Sequence, residues 1–221
     1  MKKLILLIIW LLFLLSLSFG SYKKLNSNKY QAFLLYDFNN NANTFKLDDF
    51  EKLDINFPNI SVTALPIKYL KSTYYLGVDS VETAKKLLYQ SIKENPYIYA
   101  PEILLAQIYL SENKLDSALY YSKKAFYGLN NNNRHRDTYF NVLSELNDSI
   151  SLDSAFIKIR EADRGVDHWV DYILTRNEIN TKPDKRLLNI IEEMAVKFPN
   201  QDTIRLNGLK RTVELGFTRF T

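Results

Sequence analysis

Leu4 to Leu15 is an unbroken apolar run, preceded by Lys2 and Lys3 and diluted afterwards by Ser16, Ser18 and Gly20. A cationic start, an apolar stretch and small residues at Ser18 and Gly20 are the layout of an export signal, with cleavage after Gly20. The rival is an uncleaved anchor. Carried to Phe19, the stretch is sixteen residues long, about 24 Å of helix against a hydrocarbon core of ~30 Å. That shortness favours a signal peptide, although Phe19 and Tyr22 would extend an anchor into the interface. Lys23 and Lys24 balance Lys2 and Lys3, so flanking charge sets no orientation. Beyond residue 64 the pattern changes. Apolar residues recur at helical spacing over Ile67–Leu76, Ser80–Glu94, Pro101–Leu110 and Lys114–Gly128, which predicts two helical hairpins.

These two hairpins repeat each other. Ser72 and Ala106, Tyr75 and Tyr109, Ala84 and Ala118, and Ser91 and Ala125 are each 34 residues apart. Small residues at such positions let antiparallel helices approach closely, and Pro96 stops the second helix of the first copy. The tetrapeptide Leu115-Asp116-Ser117-Ala118 recurs as Leu152-Asp153-Ser154-Ala155, and Ala125 recurs as Ala162, both at a shift of 37. A third copy with about three extra residues in the Leu146–Ser151 turn is therefore expected. Asn56-Phe57-Pro58-Asn59 resembles Lys197-Phe198-Pro199-Asn200, suggesting a diverged first unit from Ser27 to Ile60. Asp167–Ile179 with Pro183–Phe198 supplies a last pair, and Gln201–Leu215 a closing helix.

The pattern resembles the tetratricopeptide repeat (TPR): Ser72, Tyr75, Ala84, Leu88, Ser91 and Pro96 fall where that family places its small, aromatic, bulky and proline residues. The chain departs from the family in lacking its tryptophan at the fourth position and its glycine at the eighth. The alternative is an unrelated helical bundle. The resemblance implies an all-α superhelix (a TPR-like solenoid) of about five helix pairs, preceded by an N-terminal hydrophobic signal or anchor helix. The expected divisions are 1–20, signal or anchor; 21–64, diverged first repeat and linker; 65–132, two well-formed repeats; 133–200, degenerate repeats; and 201–221, a capping helix. A narrower resemblance, carried by Lys123–Leu129 with Asn132, Asn133 and His135, is to the extracytoplasmic repeat tails of O-antigen ligase-like bacterial membrane proteins. It does not extend to the membrane portion of those proteins, and no ligase activity is carried over.

Composition narrows the chemistry. The chain has no cysteine, which excludes disulfides, thiolate metal sites, a cysteine nucleophile and a lipoprotein-type lipid attachment. Without residues 1–20 the net charge falls from +4 to +2, which removes any global argument for nucleic-acid binding. His135 and His168 are the two histidines. No metal-ligand spacing joins them, and a turn histidine at 135 and a packed or capping histidine at 168 are the plain readings. Asp48-Asp49 and Glu192-Glu193 are adjacent pairs, about 100° apart on a helix, and do not converge on one bond. No nucleophile elbow or phosphate loop occurs, and no cofactor is implied.

In the resembled family the first helix of each pair lines the concave face at its second, fifth and ninth positions. With the third copy shifted by 35, the resemblance places Tyr69, Thr73, Gln107, His135 and Thr138 on that face. It is not the lysine and asparagine clamp that holds acidic peptide termini. The expected function is an exported, membrane-tethered or secreted scaffold in the bacterial cell envelope. It would bind a protein or peptide, and would touch the membrane through its N-terminal segment if that segment is retained. The alternatives are an accessory component of envelope polysaccharide assembly and a helical glycan-active enzyme.

Overall fold

The computed structural model describes residues 2–40, 42, 44–53, 55, 57–129, 132–161, 165–180, 183–200 and 203–216. The chain is all-α. Among these residues there is no strand, only an isolated antiparallel bridge between Ile60 and Pro66. It divides into two compact units, Met1–Pro101 and Glu102–Thr221.

Unit 1 begins with α1 (Lys2–Asn40), 39 residues long. Its two halves differ. Residues 4–19 are apolar all round and exposed, whereas Ser27, Gln31, Leu34, Leu35 and Asp37 form a single buried face at helical spacing. The helix runs without a break through Gly20, so the structure places no boundary at the expected cleavage point. A helix of this length and composition can cross a membrane.

The expected helical pair at 27–60 does not form. Among the described residues from 42 to 60 the only helical turn is α2 (Asp49–Lys52), which ends where Leu53 turns extended. The reason lies in α1, whose polar side chains satisfy backbone groups that a second helix would have satisfied internally. The Gln31 amide donates to the carbonyls of Ile55 (3.0 Å) and Pro58 (2.6 Å). Asp37 accepts from the Thr44 N–H (2.9 Å) and hydroxyl (2.6 Å), and from Tyr74 Oη. Burial pushes the Asp37 carboxyl up, but these hydrogen bonds together outweigh it and hold the group below the ordinary carboxylate range. The unit is completed by α3 (Ile67–Gly77) and α4 (Val81–Glu94), with Leu34, Phe50, Ile55, Ile67, Leu70, Ala84 and Leu88 in its core.

Unit 2 opens on α5 (Ala100–Ser111), whose first two residues belong to unit 1, and continues through α6 (Leu115–Gly128), α7 (Asn133–Glu145), α8 (Ser149–Glu161), α9 (Val166–Ile179), α10 (Lys185–Lys197) and α11 (Thr203–Leu215). Here α7 packs on α6, α8 and α9, and α9 also packs on α8, α10 and α11. The core is aromatic: Phe156 stacks on Tyr172 at 3.9 Å and meets Trp169 edge-on at 5.1 Å. Among the described residues the helices after α2 run as the pairs α3/α4, α5/α6, α7/α8 and α9/α10, followed by α11. Ala162, Gln201 and residues 217–221 of the expected cap lie outside the described residues.

The turns inside the first three pairs are the same turn. Asp79, Asn113 and Asn147 are 34 residues apart and have left-handed φ of 57°, 56° and 53°. Asp and Asn tolerate this conformation better than other residues with a Cβ. Each is flanked by the two hydrogen bonds of a Schellman motif. The outer ones are Ser80 N–H to Tyr75 O (2.8 Å), Lys114 N–H to Tyr109 O (2.8 Å) and Asp148 N–H to Leu143 O (2.9 Å). The next helix starts one residue later in all three.

This geometry corrects the expected register of the third copy. There are no extra residues in the 146–151 turn. The structural counterpart of Ala118 is Leu152, not Ala155. A shift of 37 differs from 34 by nearly one helical turn, so both candidates lie on the buried face, and both are fully buried. In the second helices the buried triads are Ala84, Leu88 and Ser91; Ala118, Ser122 and Ala125; Leu152, Phe156 and Ile159; and Leu187, Ile191 and Met194. The small residues give way to bulky ones in the last two pairs.

Candidate functional site

With the period of 34 that the first three turns share, the second, fifth and ninth positions of α7 are Arg134, Asp137 and Asn141; α9 starts 33 residues after α7, and its buried His168 and Thr175 stand where α7 buries His135 and Val142. The expected His135 and Thr138 are one residue out of step. The consequence is visible in burial: His135 is 3% exposed and Thr138 4%, whereas Arg134, Asp137 and Asn141 are exposed. His135 is therefore not a solvated turn residue. Its ring packs against the end of α6; burial pushes its pKa down against hydrogen bonds to the backbone at Ala125 and Leu129, and it lies below the ordinary histidine value. His168 is also buried, at the start of α9.

The remaining expected residues divide between the units. In unit 1, Tyr69 is 2% exposed, with its ring against Phe38 of α1 at 6.0 Å, so it is a core side chain and not a contact residue. The docking of α1 on α3 was not foreseen, and it is what covers that tyrosine. Thr73 is half-buried and its hydroxyl donates to the Leu70 carbonyl at 2.7 Å. In unit 2, half-buried Gln107 bridges two helices. Its amide N–H donates to Thr138 Oγ1 at 3.3 Å and its carbonyl accepts from the Arg134 guanidinium at 3.3 Å. The structure thus brings Gln107 and Thr138 together, with Thr138 beneath the surface.

Between α7 and α9 lies a groove of about 160 Å³ lined by Asp137, Asn141, Asp171, Thr175 and Glu178, with Phe140 and Leu174 as its apolar part. Arg136, 2% exposed, underlies it. Its guanidinium pairs with Asp137 at 3.0 Å and with Asp171, and donates to Asn133 Oδ1 at 3.0 Å. Ser144 Oγ donates to Glu178 at 3.3 Å. Burial pushes the Asp171 carboxyl above its ordinary value; Arg136 pulls it back, and the charges of Asp137 and Asp167 push it up again. The groove thus carries three carboxylates, Asp137, Asp171 and Glu178, and the buried Arg136 pairs with the first two, leaving the groove acidic. Chemically it offers acceptors to amide, ammonium or guanidinium groups on an extended ligand.

No protein-family model, curated protein or solved structure matches this chain. The functional reading therefore rests on the chain's own residues.

The fourth position of the first helix, where the resembled family carries tryptophan, is Lys68, Glu102 and Arg136 in the first three pairs. Lys68 pairs with Glu94 at 2.8 Å, and fully buried Glu102 pairs with Lys124 at 3.0 Å. Breaking either pair would leave a poorly solvated charge. Among the described residues no group of three or more histidine or carboxylate side chains is placed to hold a metal ion. A cleft of about 740 Å³ lies in unit 1, between α1 (Lys29, Tyr30, Phe33, Tyr36) and the 44–53 segment (Phe45, Asp49). Its only advance signal in the sequence was the spacing of the α1 aromatics.

Proposed function

We propose that this chain is a membrane-tethered, TPR-like scaffold, held by α1 on the far side of the membrane from Lys2 and Lys3. Its second unit receives an extended, cation-bearing protein segment in the groove between α7 and α9. The observation that carries the reading is the 34-residue recurrence of one left-handed turn at Asp79, Asn113 and Asn147. Within unit 2, packing of α7 on α9 brings Asp137 and Asn141 together with Asp171 and Thr175 along one groove. Repeated hairpins present extended surfaces that suit extended ligands. The acidic lining supports a basic partner through charge complementarity, which steers encounter and fixes register. The tether is supported by α1 continuing as one helix from its apolar half into the core of unit 1.

Binding of extended basic and acidic peptides to the full chain tests this reading. Basic peptides are expected to bind, weakening as salt rises. Joint replacement of exposed Asn141 and Leu174 with lysine, which breaks no ion pair, is expected to abolish binding without lowering the melting temperature. Preference for acidic peptides, or binding indifferent to the paired replacement, would refute the groove.

A further inference from the structure

We infer that two copies of this chain pair in parallel through α1, each placing its exposed helix face in the cleft of the other. The face is defined by the helix itself. Ser27, Gln31, Leu34 and Leu35 are buried in unit 1, while Tyr22, Leu25, Phe33 and Tyr36 on the opposite side are 62%, 71%, 54% and 66% exposed. At 100° per residue these four fall in one stripe, and the stripe continues through Leu4, Leu11 and Ser18. From Leu4 to Tyr36 it is about 48 Å long. Beyond Lys24, the side chains of Leu25, Phe33 and Tyr36 rise above the membrane-crossing half and have no hydrocarbon to cover them. Such a patch marks an interaction surface.

The occupant is a second copy for two reasons. A membrane anchor sets all copies parallel and at one height, so the stripe meets itself in register under a two-fold axis, as an isologous interface requires. The charges also complement. The cleft of about 740 Å³ carries Lys29 on the α1 wall and Asp49 on the facing wall. Laying a partner's α1 along it turns the partner's Lys29 toward Asp49, and the reverse holds for the other copy. A lone acyl chain in the cleft would leave this pairing unused.

The pairing rests on the tethered reading above, and the test separates the two. Because the chain has no cysteine, single cysteines can be placed in the full-length protein in native membranes and oxidised. Leu25→Cys and Phe33→Cys are expected to give disulfide-linked dimers, and Asn28→Cys and Lys24→Cys, on other exposed faces, are not. Lys29→Glu should suppress the dimer and Lys29→Glu with Asp49→Lys should restore it. Intact mass of the same samples reports whether residues 1–20 are present. Retention with linkage at all four sites or none, or with lipid in the cleft and no linkage, overturns the pairing and leaves the tether standing. A chain beginning at Ser21 overturns both.

Discussion

Gln31 Nε2 donates to the carbonyl oxygen of Pro58 at 2.6 Å, so a residue on the helix that starts in the apolar run holds the loop of the first folded unit. The same nitrogen reaches the Ile55 carbonyl at 3.0 Å. Through this one amide the second half of α1 becomes part of the first unit's core. Replacing Gln31 with leucine keeps the bulk and strands two carbonyls. The expected loss is about 1–3 kcal/mol, read as a lower melting temperature and faster hydrogen exchange around residues 44–61.

The recurring left-handed turn makes a second prediction. Asn113 has φ of 56°, a conformation that costs an ordinary L-residue roughly 1–2 kcal/mol. Asn113→Val should lower stability by about that amount, and Asn113→Gly should leave it unchanged or raise it. Chemical denaturation of the two variants distinguishes this turn from an ordinary loop, where neither change would matter.

Ala118 is fully buried where α6 turns its inner face to the rest of unit 2. Leucine at this position should overpack the helices at a cost of about 1–3 kcal/mol, even though its structural counterpart Leu152 accommodates that side chain. Unchanged thermal stability of Ala118→Leu would mean that the first hairpin of unit 2 has slack that its small residues do not suggest.

Asp37 and Asp171 have opposite pH signatures. The Asp37 carboxyl is depressed in the folded state, so the stability it brings is whole above the ordinary carboxylate range and is lost as pH falls through its lowered folded value. Asp37→Asn should therefore be less stable than the parent at neutral pH, and the difference should shrink in acid. Asp171 is raised, so its ionised form costs stability that is recovered as pH falls through its raised value. Urea denaturation at neutral and acidic pH measures both.

Much of the repeat was legible in the chain because small residues and tyrosines mark it. Helices expected over Ile67–Leu76 and Lys114–Gly128 occur as Ile67–Gly77 and Leu115–Gly128. What misled was a chance identity, Leu-Asp-Ser-Ala, offset by nearly a full helical turn and therefore equally compatible with a buried face. A separate shift of 35 in place of 34 for the third copy's first helix displaced the expected binding residues by one, from Arg134 and Asp137 to the buried His135 and Thr138. The signal that finds the groove was present in the 34-residue series Thr73, Gln107, Asn141 and Thr175. The segment 27–60 was not legible for a different reason. Its backbone is satisfied by long-range bonds from Gln31 and Asp37, and pairings of that kind leave no periodicity.

The most direct test of the account is membrane fractionation followed by N-terminal sequencing and intact mass of the natural protein. The account predicts a membrane-bound chain that keeps residues 1–20, with α1 intact from Lys2 to Asn40. A soluble protein whose first residue is Ser21 would contradict it.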